Sequence, residues 1–241
     1  MRTVVISGGS RGIGRAMVVH LAAIGYRVHF LYRERFDAAR EVELTVERLG
    51  GVAHAHRCDL MDGGAVAELA LQLTPGGVFA LVNNAAVIQD GHFLLMDEER
   101  WRRVVETDLT GVYRLTRAFL RPMVLQGEGR VVNIGSLSGS LGQAGQANYA
   151  AAKGGVAAFT RALAREVGRH GVTVNTVVPG WMNTELVQAL PLRRRQAALA
   201  AVPLGRFGEP EQVAHVVEFL LSPAADYITG ATIRVDGGVG I

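Results

Sequence analysis

The chain has 241 residues, 49% hydrophobic and 20% charged, which is enough to bury the core of one large α/β domain or of two small ones. A net charge of +3 without an arginine-rich or lysine-rich arm argues against a nucleic-acid partner. The single cysteine, Cys58, excludes an intrachain disulfide, and no apolar run approaches the roughly 20 residues of a membrane span, so we expect a cytoplasmic protein without a membrane partner.

Short apolar runs alternate with longer segments of helical period. The runs predict strands at about 2–7, 27–32, 52–57, 78–82, 130–135, 172–178 and 231–235. The segments between them predict helices at about 12–24, 36–49, 62–73, 99–126, 148–169 and 209–221. Strands that alternate with helices form right-handed βαβ units. The sequence therefore predicts one Rossmann-type α/β domain over residues 1–241: a doubly wound parallel sheet of about seven strands with helices on both faces.

A glycine-rich turn, Ser7-Gly-Gly-Ser-Arg-Gly-Ile-Gly14, joins the first predicted strand to the first helix. Glycines here allow a tight turn, so that the amides at the helix start can face a pyrophosphate. The spacing of Gly8, Gly12 and Gly14 differs from the commoner G-x-G-x-x-G pattern. The position of the turn between strand and helix nevertheless favours a dinucleotide-binding role.

The residues after the second strand indicate which nicotinamide cofactor binds. A protein selective for NAD usually has an acidic residue here for the ribose 2′-hydroxyl. This chain has Tyr32 and Arg33 instead, and Arg11 lies in the glycine turn. Two guanidinium groups suit a 2′-phosphate, so the sequence favours NADP(H) over NAD(H), although Glu34 adjoins Arg33.

Lys153 is the only lysine; the other 24 of the 25 basic residues are arginines. It follows Tyr149 by four residues, a spacing that places a phenol and an ammonium side by side on one helix face. A compact ammonium can approach a phenol and a ribose hydroxyl where a planar guanidinium would not fit in the same way.

Residues 180–208 contain no clear strand and are interrupted by Pro191 and Pro203. A long segment after the carboxyl end of a strand is where α/β folds place substrate loops, so we expect a substrate loop or lid at about 180–208. Arg193–Arg195 in this segment is interpreted as a solvated helix end, with a docking site as the alternative.

With these residues, the chain resembles the short-chain dehydrogenase/reductase family, and within it the 3-oxoacyl-[acyl-carrier-protein] reductases. The resemblance covers essentially the whole length. Beyond the glycine turn it rests on motifs that follow successive strands: Asp59, Asn83-Asn-Ala-Ala86, Ile134-Gly-Ser136, Gln146 to Lys153, Pro179-Gly180 with Thr184, Tyr227-Ile-Thr-Gly230 and Val235-Asp-Gly-Gly238. The most specific of these is the pair Tyr149 and Lys153 with Ser136, 13 residues before the tyrosine.

The resemblance implies a site for hydride transfer to a carbonyl. Tyr149 would be the general acid, Lys153 would favour the tyrosinate and hold the nicotinamide ribose, and Ser136 would hydrogen-bond the carbonyl. Ser138 is a second hydroxyl nearby, but its spacing to Tyr149 does not match the family serine.

By the same resemblance, Asp59 would contact the adenine, Asn84 and Ala85 would pass beneath the cofactor, and Thr184 would hold the carboxamide. The full set of residues expected to bind NADP(H) is Gly8, Ser10, Arg11, Gly12, Ile13, Gly14, Arg33, Asp59, Leu60, Asn84, Ala85, Ala86, Tyr149, Lys153, Pro179, Gly180, Met182 and Thr184.

The chain departs from the family pattern at three places. Asp108 stands where the family carries an asparagine that supports a water relay to the lysine, and we include Asp108 among the catalytic residues. Ionised, it would partly offset the Lys153 charge; the alternatives are a protonated Asp108, or one turned toward Arg114.

The second departure is Ala86, which replaces a glycine beneath the cofactor. The third concerns two carrier-docking arginines of the family, which fall at Gly127 and His170. Arg165 and Arg169 lie nearby and could substitute for them.

The resemblance implies an NADPH-dependent reductase of 3-oxoacyl thioesters, borne by a carrier protein of fatty-acid or polyketide/polyene synthesis. Two alternatives stay open: an NADP-dependent reductase of a small free ketone or alcohol, and a catalytically weak NADP-binding partner subunit in which Asp108 marks lost catalysis.

Two further features bear on assembly and metals. Small residues on the predicted helix at 148–169, together with the family resemblance, predict a homotetramer. His54, His56 and Cys58 share one face of the third strand, but a zinc site would need further ligands, so no metal is expected.

Overall fold

The structure, a computed structural model, describes residues 1–241 and contains seven parallel strands. They are β1 Thr3–Ser7, β2 Arg27–Tyr32, β3 Val52–Arg57, β4 Ala80–Asn83, β5 Gly129–Ile134, β6 Val172–Pro179 and β7 Thr232–Val235. They form one sheet in the order β3-β2-β1-β4-β5-β6-β7. The strand order reverses between β1 and β4, which is where open α/β sheets place a ligand crevice.

Ten α-helices accompany the sheet. They are α1 Gly12–Ala23, α2 Phe36–Arg48, α3 Gly63–Leu73, α4 Glu98–Val105, α5 Gly111–Gln126, α6 Ser138–Leu141, α7 Ala147–Val167, α8 Glu185–Gln188, α9 Leu192–Ala200 and α10 Pro210–Leu221. None is long and apolar enough to span a membrane.

The sheet separates two apolar cores. Helices α1, α2 and α10 pack on one face, where Val4 and Ile6 of β1 point. Helices α3, α5 and α7 pack on the other, where Val5 points. Because successive side chains of a strand point to opposite faces, a strand covered on both sides is apolar throughout, which is why β1 reads as a continuous apolar run. The predicted doubly wound α/β fold is confirmed.

The single helix predicted at 99–126 differs in the structure. A π-helical turn at Glu106–Thr110 lies between α4 and α5. Such a turn adds a residue without interrupting the helix, so the periodic pattern of the sequence does not show it. It carries Asp108 and Thr107, both of which are buried.

The segment 180–208 contains the short helices α8 and α9, and its one strand-like contact is an isolated bridge between Met182 and Gly208. The three arginines Arg193–Arg195 lie exposed at the start of α9. Helices of this length are too short to produce a recognisable period, which is why the sequence did not predict them.

The histidines singled out on β3 lie beside a third histidine, His29 of β2. The Nδ1 atom of His29 is 2.9 Å from Nε2 of His56, and the rings of His29 and His54 are 5.2 Å apart between centroids. Cys58, at the end of the same face, is buried, and burial raises the pKa of its thiol to about 11. The structure contains no group of three or more His, Cys, Asp or Glu side chains arranged to hold a metal ion.

The pair His29 and His56 should make the free energy of unfolding depend on pH. Burial, and then the neighbouring His56, lower the pKa of His29 from its ordinary 6.5 to about 4. The unfolded chain therefore takes up a proton that the folded chain refuses, and stability falls as pH drops from 6.5 toward 4. His29→Gln removes the titrating group and should reduce this acid loss of stability by about 1 kcal/mol. The effect is smaller than the pKa shift alone implies, because solvent screens the half-exposed ring.

The measurement is the free energy of unfolding in urea at several pH values between 7.5 and 4.5. His92→Gln, a change at an exposed histidine, is the control. An acid loss of equal size in wild type and in His29→Gln would contradict the prediction.

Candidate active site

A cleft of about 680 Å³ lies at the carboxyl ends of β1, β2, β4, β5 and β6. Every residue predicted from the sequence to bind cofactor or to act in catalysis lines this cleft, with the exception of Asp108. Those residues are Gly8, Ser10, Arg11, Gly12, Ile13, Gly14, Arg33, Asp59, Leu60, Asn84, Ala85, Ala86, Ser136, Tyr149, Lys153, Pro179, Gly180, Met182 and Thr184. The parallel sheet brings them together because its strands all end at this edge.

The glycine turn lies at the amino end of α1 and packs closely against the loop after β4. Gly8 and Gly12 have φ values of +70° and +53°, which side chains rarely adopt. A Cβ on Gly8 would lie 2.8 Å from the Cα of Ala85, and one on Gly14 would overlap the Gly8 carbonyl oxygen. Glycine at these positions therefore lets the turn pack directly against the loop after β4, at the amino end of α1 where a helix can bind an anion.

Ser7 and Asn84 join this turn to the loop after β4. The Ser7 hydroxyl oxygen accepts hydrogen bonds from the backbone amides of Asn84 and Ala85, each at 3.0 Å. The Asn84 side-chain amide donates to the carbonyl oxygens of Ser7 and Gly8, both at 3.0 Å. Ser7 was not among the site residues predicted from the sequence; its position directly before the glycines was the only signal for it.

Arginines surround the end of the cleft beyond β2. Arg33 forms an ion pair of 2.6 Å with Glu34, Arg35 lies 3.7 Å from Glu185 at the start of α8, and Arg11 has no acidic partner. The Asp59 carboxylate accepts a hydrogen bond of 3.0 Å from the Met61 amide, which fixes its orientation. The unpaired Arg11 guanidinium and the partly exposed Arg33 fit a phosphate at this end.

The other end of the cleft holds the predicted catalytic group. Lys153 is only 3% exposed, and its ammonium donates a hydrogen bond of 3.0 Å to the Ile134 carbonyl oxygen. The same Nζ lies 5.7 Å from the centre of the Tyr149 ring, as expected for neighbours on one face of α7. Ser136 follows β5, and its hydroxyl oxygen accepts a hydrogen bond of 3.2 Å from the Ser138 amide.

Asp108 lies behind the cleft, beside Lys153. Its Oδ1 accepts a hydrogen bond of 2.8 Å from the Val87 amide. Its Oδ2 has no hydrogen-bond partner and is 3.8 Å from the Lys153 ammonium. Arg114 instead pairs with Glu106 at 3.0 Å, so Asp108 is not turned toward Arg114.

Burial decides the ionisation of Asp108. The side chain is fully buried, and burial raises the pKa of its carboxyl from 3.8 to about 6, against the opposing effects of the Lys153 charge and the Val87 amide. The carboxyl therefore changes its charge within the physiological range, immediately beside the one lysine of the chain.

A buried polar network fixes α7 against the sheet. The Asn83 amide donates to Asn133 Oδ1 at 2.7 Å, and the Asn133 amide donates to the Thr160 hydroxyl at 2.8 Å. The Thr176 hydroxyl donates to the same Thr160 oxygen at 2.8 Å. These bonds join β4, β5 and β6 to α7 two turns after Lys153, and they set the height of the catalytic side chains above the strand ends.

Comparison with known proteins shows one family and a set of close relatives. A family model described as Enoyl-(Acyl carrier protein) reductase matches residues 8–240. The chain is 42% identical to the 3-oxoacyl-[acyl-carrier-protein] reductase FabG of Vibrio cholerae, over 99% of this chain and 97% of the relative. It is 40% identical to the protein of the same name from Pseudomonas aeruginosa, over 99% of this chain and 97% of that relative. It is 39% identical to the acetoacetyl-CoA reductase of Shinella zoogloeoides, over 98% of both chains.

Replacing Asp108 tests its ionisation directly. A carboxyl whose pKa is raised from 3.8 to about 6 stabilises the fold at low pH, and this contribution is lost as pH rises through about 6. The stability of wild type relative to Asp108→Asn should therefore fall by about 1 kcal/mol between pH 5 and pH 7. Urea unfolding of both proteins across this range is the measurement.

Asp37→Asn, a change at an exposed carboxyl, is the control and should show no such trend. A constant difference between wild type and Asp108→Asn at all pH values would show that Asp108 does not titrate in this range.

Proposed function

We propose that this chain, which belongs to the short-chain dehydrogenase/reductase family of oxidoreductases, reduces 3-oxoacyl thioesters to 3-hydroxyacyl thioesters with NADPH. The observation that carries the proposal is the shared cleft, in which Ser136, Tyr149 and Lys153 lie at one end and the glycine turn at the other. The names of the relatives support a thioester substrate.

The roles of the residues follow from their chemistry. NADPH, when bound, supplies the hydride. The Tyr149 hydroxyl is the proton donor to the substrate carbonyl oxygen, and the free hydroxyl proton of Ser136 hydrogen-bonds the same oxygen as negative charge develops on it. Lys153 cannot move far, since the Ile134 carbonyl holds it, so its positive charge stays beside the Tyr149 phenol.

Asp108 is proposed as a positioning group behind Lys153. Through Oδ1 it fixes the backbone of the loop at Val87, as an asparagine carbonyl could. Through Oδ2, when ionised, it offsets part of the ammonium charge beside the Tyr149 phenol. This charge effect is present above the pKa of the Asp108 carboxyl, about 6, and absent well below it.

NADP(H) is the proposed cofactor because of the arginines at the far end of the cleft. Arg11 is free of acidic partners, and Arg33 retains exposed donors beside its bond to Glu34. No carboxylate directly follows β2 to receive a ribose 2′-hydroxyl; Glu34 is already paired with Arg33.

The thioester could be borne by a carrier protein or by coenzyme A, and relatives of both names match this chain. The family's docking positions, Gly127 and His170, directly precede β5 and β6 and so lie at the opposite sheet edge from the cleft. Arg169, which contacts His170 at 3.1 Å, supplies a cation there. A carrier bound at that edge would lie across the sheet from the cleft of the same subunit, so we propose a carrier-bound substrate only together with an oligomer in which a neighbouring cleft receives it.

A homotetramer in the cytoplasm is the proposed form. Among the small residues of α7, Gly154 packs on Gly139 and Gly155 on Leu109, so these two are explained within the chain. Ala151 and Ala158 remain exposed, and Trp101 on the neighbouring α4 is 37% exposed. Exposed small and aromatic side chains suit close packing of helices between subunits.

The direct test of activity is oxidation of NADPH with acetoacetyl thioesters of a carrier protein and of coenzyme A, against a free ketone of similar size. Tyr149→Phe should lower kcat by about 10²- to 10⁴-fold, because it removes the proton donor, while NADPH binding persists. Tyr227→Phe, at a fully exposed tyrosine, is the matched control. Turnover of the free ketone alone would refute the thioester proposal, and no NADPH oxidation with any substrate would refute a reductase.

Cofactor choice is tested at Arg33. Arg33→Asp should weaken NADPH binding by about 10- to 100-fold more than NADH binding, because a phosphate contact becomes a repulsion. Arg40→Asp, at an exposed arginine of α2, controls for the change in net charge. Equal loss of both cofactors in fluorescence titrations would contradict the assignment of Arg33.

The assembly is tested by light scattering at micromolar concentration. Wild type should have about four times the monomer mass of 25.8 kDa. Ala158→Arg should lower this mass by placing a large charge on the exposed face of α7, whereas Ala67→Arg on α3 should not. A wild-type protein that scatters only as a monomer would refute the tetramer.

A further inference from the structure

Two loops are tied together beside the Ser136 end of the cleft. The Gly91 amide donates to the Gly145 carbonyl oxygen at 2.9 Å, and the Asn148 side chain donates to the Gln89 carbonyl oxygen at 3.1 Å. Between these bonds, Nε2 of Gln146 lies 3.0 and 3.2 Å from the two carboxylate oxygens of Asp90. The loop after β4 is thus joined to the start of α7, the helix that carries Tyr149.

The charge of Asp90 fixes the orientation of the Gln146 amide. An ionised carboxylate can only accept hydrogen bonds, so the amide group that faces Asp90 must be the NH₂. The amide oxygen of Gln146 then faces Ser138, whose hydroxyl lies 2.7 Å away. Because that oxygen can only accept, the Ser138 hydroxyl must donate its proton to Gln146.

The direction of the Ser138 proton also bears on the hydroxyl of Ser136. With its proton directed at Gln146, the Ser138 hydroxyl cannot donate to Ser136. Ser136 instead receives a bond from the backbone amide of Ser138 at 3.2 Å, and its own proton has no acceptor in the protein. Ser136 is therefore left as a donor that faces the cleft.

We propose that Asp90, acting through Gln146 and Ser138, is a positioning residue that keeps the Ser136 hydroxyl directed as a hydrogen-bond donor to the substrate carbonyl. The inference rests on the proposed ketoreduction and names residues that determine the polarity of its site. Asp90 is exposed, whereas Gln146 and Ser138 are each 8% exposed. The Asp90 charge thus stays hydrated at the surface. It orients two buried polar groups, the Gln146 amide and the Ser138 hydroxyl, which extend to the site.

Loss of the Asp90 charge removes the preference between the two amide orientations. With the amide reversed, its NH₂ would donate to Ser138, and the proton of the Ser138 hydroxyl would turn elsewhere. Because Ser138 lines the same cleft as Ser136, that proton could then compete with Ser136 for the substrate oxygen. Asp90 therefore affects the substrate step, because Asp90, Gln146 and Ser138 are not among the residues predicted to contact NADPH.

The test is a swap of polarity between the two residues. Asp90→Asn removes the charge that fixes the Gln146 amide and should lower kcat with an acetoacetyl thioester about fivefold. The double variant Asp90→Asn/Gln146→Glu lets the new asparagine donate to the new glutamate, which can only accept from Ser138. It should recover kcat to within about twofold of wild type, with NADPH affinity unchanged in all variants. Gln126→Glu, the same substitution at an exposed residue of α5, should behave as wild type.

Asp90→Ala, which removes the hydrated carboxylate altogether, gives a second measurement if the double variant does not fold. It should lower kcat about fivefold with a smaller change in KM. A folded double variant no more active than Asp90→Asn would overturn the proposal, and so would an Asp90→Ala variant as active as wild type. Wild type without ketoreductase activity would instead refute the proposed function, so the two failures are distinguishable.

Discussion

The site depends above all on the seating of α7 against the sheet. Asn83, Asn133, Thr160 and Thr176 form hydrogen bonds in the core that join three strands to this helix. Their polar groups are buried, so any shift of α7 would leave them unpaired at a cost of about 1–3 kcal/mol each. An apolar contact would tolerate sliding by a fraction of an ångström, whereas this network has one register. Because Tyr149 and Lys153 lie on this helix, the network also fixes their height above the ends of β4 and β5.

The surroundings of Lys153 hold its ammonium group in one position. A buried ammonium needs partners, and this one has the Ile134 carbonyl oxygen and, at a longer distance, the Asp108 carboxyl. The carboxyl is itself buried, and the π-helical turn directs it inward from a helix that would otherwise continue unchanged. The two groups share one desolvated space, and the Lys153 charge opposes the rise in the Asp108 pKa that burial causes. An asparagine at position 108 could fix the Val87 loop equally well, but it would not couple the site to pH.

The cleft divides its chemistry between two ends. Arginines lie at the end beyond β2, while hydroxyls and one ammonium lie at the end formed by β5 and α7. Exposed charge governs the polarity of both ends: Glu34 restrains Arg33, and Asp90 orients the amide of Gln146. Hydrated charges can act on a site in this way without the desolvation cost that a buried charge would carry.

The sequence by itself determined the features that depend on neighbours along the chain. The alternation of strands and helices, the glycine turn and the spacing of Tyr149 and Lys153 are local, so the fold and the two ends of the cleft could be predicted from them, while the remaining cofactor contacts came from the family resemblance. Only the tertiary structure decided the partners that are distant in sequence. It placed Asp108 beside Lys153 and not Arg114, Ser7 under Asn84, and Asp90 against Gln146, 56 residues later. The reason is that a parallel sheet gathers its strand ends at one edge, where hydrogen bonds form between side chains whose separation in the chain carries no period and no motif.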